Sequence, residues 1–121
     1  MIIDSEKLAL KIVEFLDEKK AQEISALNIK GVSVLADYFV ICSGSSTTQI
    51  KALADYVEEK MGEMGYTHIH KEGYASATWI LLDYGDIVVH IFHKESRSFY
   101  NLERLWSDAP RLDTAQITGN V

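Results

Sequence analysis

Two apolar runs, Trp79-Ile80-Leu81-Leu82 and Ile87-Val88-Val89-His90-Ile91-Phe92, flank Asp83-Tyr84-Gly85-Asp86. Branched and aromatic residues on either side of a Gly/Asp turn signal specify a β-hairpin. With Tyr84-Gly85 as the loop, Leu82 faces Ile87, Leu81 faces Val88, Ile80 faces Val89 and Trp79 faces His90. Side chains alternate across a strand, so the hairpin has two unlike faces. One carries Ile80, Leu82, Ile87, Val89 and Ile91 and is purely aliphatic, as a core face is. The other carries Trp79, Leu81, Val88, His90 and Phe92, bulky and partly polar, and needs a partner inside or outside the chain. A three-residue loop ending at Gly85 would redistribute these residues between the faces.

The 121 residues suit one domain with a core that needs neither disulfide nor metal. Its 47% hydrophobic and 25% charged residues are ordinary for a globular protein. The single cysteine, Cys42, lies inside an apolar run and has no intrachain partner, which fits a reducing compartment. No positively charged leader precedes an apolar stretch at the N-terminus. Nothing approaches the roughly 20 apolar residues that span a bilayer. A cytoplasmic protein without a membrane partner is expected. Eighteen acidic residues against 12 basic ones give a net charge of −6. The one concentration of positive charge, Lys94, Arg97, Arg104 and Arg111, is diluted by Glu95, Glu103 and Asp108. Extended DNA or RNA binding is disfavoured, and a basic protein partner suits the surface better.

Asp4 begins a helix that runs to about Lys19, capped by its side chain, with Ile3 stapled to Leu8. Leu8, Ala9, Ile12, Val13 and Leu16 form its apolar stripe. Gln22 to Asn28 is a weaker strand candidate, followed by a turn near Lys30-Gly31. Asp37 to Cys42 reads as a central strand buried on both faces. A second helix follows Ser43-Gly44-Ser45-Ser46, with Ser46 and Gln49 matching a capping box. Ile50, Leu53, Ala54, Val57, Met61 and Met64 share one face of it, and Gly65 is placed to end it. A short strand around Thr67 to Lys71 leads through Gly73 into the hairpin. Lys94 to Trp106 reads as short helical pieces, and residues 111–121, beyond the break at Pro110, as a disordered tail. The expected architecture is a single α/β domain over residues 1–110, a mixed sheet covered by two amphipathic helices.

Several constellations invite chemical readings. The Ser43-Gly44-Ser45-Ser46 loop enters a helix N-terminus, where amides can hold a phosphate. It lacks the P-loop lysine and a GxGxxG pattern, and helix capping alone explains its serines. A strand, Gly-Ser loop and helix also open nucleotidyltransferase domains, which need paired carboxylates on the next strand for catalytic metals. No Asp-x-Asp pair follows the helix here. Asp83 and Asp86 fit turn residues better than an acid/base pair. His68, His70, His90 and His93 do not converge as zinc ligands should, and neither a metal nor a cofactor is expected. Cys42 reads as an inert core thiol. Trp79, Phe92, Phe99, Tyr100 and Trp106 are either a second small core or part of a docking surface. Tyr100, Trp106 and Arg97 belong to residue types that dominate interface hot spots.

Ala36-Asp37-Tyr38-Phe39-Val40-Ile41-Cys42-Ser43-Gly44-Ser45-Ser46 with Gln49 resembles the first signature of the Iojap-related ribosomal silencing factors. Glu72-Gly73, Trp79 through Phe92, and Arg97 to Pro110 (RSFYNLERLWSDAP) resemble the remainder, from about Asp4 to Pro110 in all. The resemblance implies a nucleotidyltransferase-like fold without the catalytic carboxylates and a non-enzymatic translation factor. It further implies binding to large-subunit ribosomal protein number fourteen, which blocks joining of the small subunit and lowers translation when nutrients are scarce. The expected contact region is Trp79, His90, Phe92, Arg97, Tyr100, Leu102 and Trp106, with Trp79, Phe92 and Trp106 able to support it from beneath. A nucleotidyltransferase-like enzyme and a homodimeric interaction module are the competing expectations.

Overall fold

A computed structural model describes residues 4–31, 33, 34, 36–68, 70–100, 104 and 107–118. Helix α1, Ser5–Glu18, starts where Asp4 accepts a hydrogen bond from the Lys7 amide at 3.0 Å. This offsets one of the free donors of the first turn. Its buried stripe is Leu8, Ala9, Ile12, Val13 and Leu16, as expected, with Phe15 added on the flank. Ile3, the proposed staple, lies outside the described residues. Strand β1 is Gln22–Asn28, β2 is Tyr38–Gly44 and helix α2 is Thr47–Glu63. Strands β3, β4 and β5 are His70–Glu72, Trp79–Asp83 and Ile87–His93. Helix α3, Lys94–Tyr100, and a single turn α4, Ala115–Thr118, complete the described elements.

The five strands lie in the order β1-β2-β5-β4-β3. Strands β2 and β5 run parallel, joined by a crossover through α2, and every other neighbouring pair is antiparallel. A parallel pair needs such a crossover because a tight turn cannot reverse the chain twice. Helices α1 and α2 cover one face. Beneath them Ile80, Leu82, Ile87, Val89 and Ile91 are completely buried with Val40 and Cys42. The aliphatic hairpin face is therefore core.

The hairpin loop is Gly85-Asp86, one residue later than the sequence suggested. Tyr84 donates its amide to the Ile87 carbonyl at 2.9 Å, and Asp83 stands opposite Val88. Gly85 takes φ 90°, the left-handed conformation that glycine adopts without steric cost at the first loop position. Moving the loop by one residue moves each partner by two. Trp79 thus faces Phe92 and Leu81 faces His90, yet every side chain keeps its face.

Three further boundaries differ. Strand β3 begins at His70, so His68 precedes it and the two histidines do not share the strand. The expected central strand extends through Ser43 and Gly44, all seven residues buried, while β5 holds the middle of the sheet. Residues 111–118, expected as a disordered tail, lie against β1 and α1 in the structure. Asn28 donates to the Pro110 carbonyl at 2.8 Å and Leu112 donates to the Ala26 carbonyl at 2.9 Å, while Arg111 bridges antiparallel to Leu27. Leu112 and Ile117 pack on the main core. Turn-forming Thr, Gln and Gly residues suggested a loose end. The unpaired edge of β1 supplies backbone partners that a local reading cannot see.

Candidate functional site

The face away from α1 and α2 carries the second hairpin surface. Trp79 and Phe92 stack at 5.0 Å between ring centroids, and Phe39 meets His90 edge-on at 4.6 Å. Leu27, Ile29, Phe39, Ile41, Val88, Phe92 and Ala109 form a second small core there, with Trp79 and Leu81 half-buried at its margin. Ala109, later in sequence than α3, packs on this face.

His90 sits within that aromatic layer at 3% exposure. Trp79 Nε1 donates to His90 Nδ1 at 3.1 Å, so the neutral ring carries its proton on Nε2. That Nε2 is buried without a hydrogen-bond partner among the described residues. Burial drives the His90 pKa down to about 3, because the imidazolium would lose its hydration. The ring is a neutral packing element at physiological pH.

Arg97 is also interior, at 8% exposure. Its Nη1 donates to the Glu23 carbonyl and, at 3.0 Å, to Ser43 Oγ. Glu23 has φ 49° at the point where β1 slips register against β2. The guanidinium thus ties α3 to a bulge on β1 and to the end of β2. The Glu23 carboxylate, 3.8 Å away and 76% exposed, adds little. Cys42 lies fully buried nearby, its thiol pushed up to about 12 by burial and only partly relieved by Arg97, which makes it unreactive.

Of the seven residues singled out from sequence, Trp79, His90, Phe92 and Arg97 are thus gathered on or beneath one side of the sheet. Trp79 keeps surface, whereas His90, Phe92 and Arg97 are buried. Tyr100 ends α3, and Leu102 and Trp106 lie outside the described residues. The contact region expected from sequence leaves out Leu81, which is half-buried beside Trp79 on the face where strand alternation had put it. Glu72 stands opposite Leu81, and His70 opposite Asp83, with His70 Nε2 2.8 Å from Glu72 Oε1. The half-exposed apolar pair is therefore bordered by carboxylates.

The Gly-Ser loop is closed on itself. Gln49 donates its amide to Ser46 Oγ at 3.1 Å, and Gln49 Oε1 accepts from the Ser45 amide at 2.7 Å and from Ser45 Oγ at 2.9 Å. Helix capping therefore engages amides that a phosphate would need. Asp83 accepts from the Gly85 amide at 2.8 Å, the local turn bond its position suggests. Among the described residues, no group of three or more His, Cys, Asp and Glu is disposed to hold a metal ion. No described helix is long and apolar enough to cross a membrane.

Comparison with known proteins agrees with this architecture. Residues 2–120 match the family model RsfS, described as ribosomal silencing factor during starvation. The ribosomal silencing factor of Bacillus subtilis is 46% identical over 110 residues, covering 90% of this chain and 93% of the relative. A crystal structure of a protein from Bacillus halodurans superposes with a TM-score of 0.78 at 44% identity, covering 91% of this chain and 99% of that one. Another, from Chromobacterium violaceum, gives 0.84 at 31% identity, covering 87% and 88%. The expected family and α/β fold hold, and the match runs beyond Pro110 into the ordered C-terminal segment. This chain belongs to the RsfS family of ribosomal silencing factors, which are regulators of the ribosome and not enzymes.

Proposed function

We propose that this chain represses translation in the cytoplasm, under nutrient limitation, by binding large-subunit ribosomal protein number fourteen. Seated beside the intersubunit surface, its bulk occupies space the small subunit needs. The observation that carries this reading is the half-exposed pair Trp79 and Leu81, on the sheet face turned away from both helices, with Glu72 and Asp83 beside it. An apolar patch bordered by carboxylates favours a basic protein surface over a phosphate backbone. His90 and Phe92 support Trp79 from beneath, Arg97 ties α3 to β1 and β2 beside them, and Tyr100 at the end of α3 with Leu102 and Trp106 beyond it complete the proposed contact region. Steric exclusion requires no nucleotide, metal or covalent step.

Purified large subunits test the reading. The chain should co-sediment with them in the absence of nucleotide and metal, and should slow joining to small subunits. Co-sedimentation only with small subunits, or only with added nucleotide, would overturn it.

A further inference from the structure

Trp79 is held through both its backbone and its ring. A Cβ at Gly73 would lie 2.0 Å from the Trp79 carbonyl oxygen, and the His93 amide donates to the Thr78 carbonyl at 2.9 Å, so the chain entering β4 is pinned on both sides. The indole stacks on Phe92, its cross-strand partner, with 5.0 Å between ring centroids. Stacking is nearly indifferent to which edge of the indole points inward, because χ2 of tryptophan is broad and two-fold. The hydrogen bond is not. Nε1 donates diagonally across β4 and β5 to His90 Nδ1 at 3.1 Å, which requires the N–H edge to be turned towards the imidazole. Only a neutral ring can accept there, and burial keeps His90 neutral. Phe39, edge-on at 4.6 Å, and Phe92, stacked at 6.3 Å, wedge the imidazole on two sides.

This arrangement costs stability. His90 is 3% exposed, and its Nε2 proton has no acceptor among the described residues. A leucine there would pack in the same layer without a buried donor. A local rule broken inside a core with no gain in packing points to a functional use. Resting on the docking reading above, we propose that His90 is a positioning residue for the docking face: by taking the Trp79 indole N–H inward, it holds Trp79 in the orientation that a protein partner meets. The indole has no other polar atom, so it presents hydrocarbon beside Leu81, which stands opposite His90 on the same face. An N–H facing outward would carry water that docking must strip away. Fixing the ring before the partner arrives also removes the cost of ordering it on binding. Polar selection is left to the carboxylates at the margin, Glu72 and Asp83.

The test compares the full-length parent with His90→Leu, which deletes the acceptor, and His90→Asn, whose Oδ1 can stand where Nδ1 does. The Trp79 indole N–H is followed by magnetic resonance in isotope-labelled chains, with Trp79→Phe identifying its signal. In the parent it should exchange with solvent roughly tenfold or more slowly than in His90→Leu, as an engaged donor does. His90→Leu should keep its urea midpoint or raise it, yet bind purified large subunits about tenfold more weakly or worse, the size of a lost anchoring contact. His90→Asn should restore both the protected N–H and most of the affinity. If His90→Leu fails to fold, His90→Asn decides by the same comparison with the parent. Three results would overturn the proposal alone: an indole N–H that exchanges freely in the parent, a folded His90→Leu chain that binds as the parent does, or a folded His90→Asn chain with a protected N–H and weakened binding. A parent chain that does not bind large subunits at all would overturn the docking reading, and this proposal with it.

Discussion

The Trp79 indole donates to Nδ1 of His90, leaving the Nε2 proton of that ring buried without an acceptor among the described residues. One hydrogen bond thereby fixes the tautomer and ring plane of His90, while burial keeps the ring neutral. It also couples an interior group to Trp79, which keeps exposed surface.

This burial gives the chain a specific acid sensitivity. The folded-state pKa of His90 is about 3, below the ordinary 6.5, so the unfolded chain binds the proton first as pH falls. The stability is complete above about pH 6.5 and is lost progressively down to about pH 3. Between pH 7 and pH 5 the loss from this group is about 2 kcal/mol. Urea denaturation at both pH values should show the parent losing that much more than a His90→Gln variant. Equal losses would mean that the ring titrates in water.

Two glycines should respond to alanine with opposite signs. Gly73 has φ 81°, and a Cβ there would sit 2.0 Å from the Trp79 carbonyl oxygen. Gly73→Ala should destabilise the fold by about 2 kcal/mol or more, through both strain and displacement of the hairpin entry. Gly62 lies in the last turn of α2 with nothing within 4 Å of the added carbon. Gly62→Ala should stabilise by about 1 kcal/mol. Thermal melts of the two variants displaced in the same direction would contradict this.

These positions also show what the sequence made legible. Residues with a strong local period were placed correctly: the α1 and α2 stripes, the Ser46 cap and the two hairpin faces. The faces survived an error in the loop because the shift moved each partner by two. The buried state of Arg97 was not legible, since its acceptors, Glu23 and Ser43, lie 74 and 54 residues away. A charged side chain in a helical segment reads as solvated unless those partners are known. The pairing of residues 110–112 with β1 was missed for the same reason: it comes from a distant strand edge and not from their own composition.

Arg97 should therefore behave as a structural residue. Arg97→Ala leaves the Glu23 carbonyl and the Ser43 hydroxyl without this donor and should cost about 2–4 kcal/mol in urea denaturation. Lysine should restore only part of that, since its single ammonium lacks the planar fork. Glu23→Gln should cost less than about 0.5 kcal/mol, because that carboxylate is largely in solvent. A loss below about 0.5 kcal/mol for Arg97→Ala would place the guanidinium in water.

The docking surface is tested most directly by Leu81→Arg, which sets a cation on the apolar patch while leaving the Trp79–His90 bond and the Arg97 ties in place. Affinity for purified large subunits should be measured beside Lys7→Glu, a charge reversal on the exposed side of α1. Leu81→Arg should weaken binding on the order of a hundredfold, the equivalent of about 2.7 kcal/mol, with its circular dichroism spectrum unchanged. Lys7→Glu should bind as the parent does. Undiminished binding by a folded Leu81→Arg chain, or an equal loss from Lys7→Glu, would contradict docking through this face.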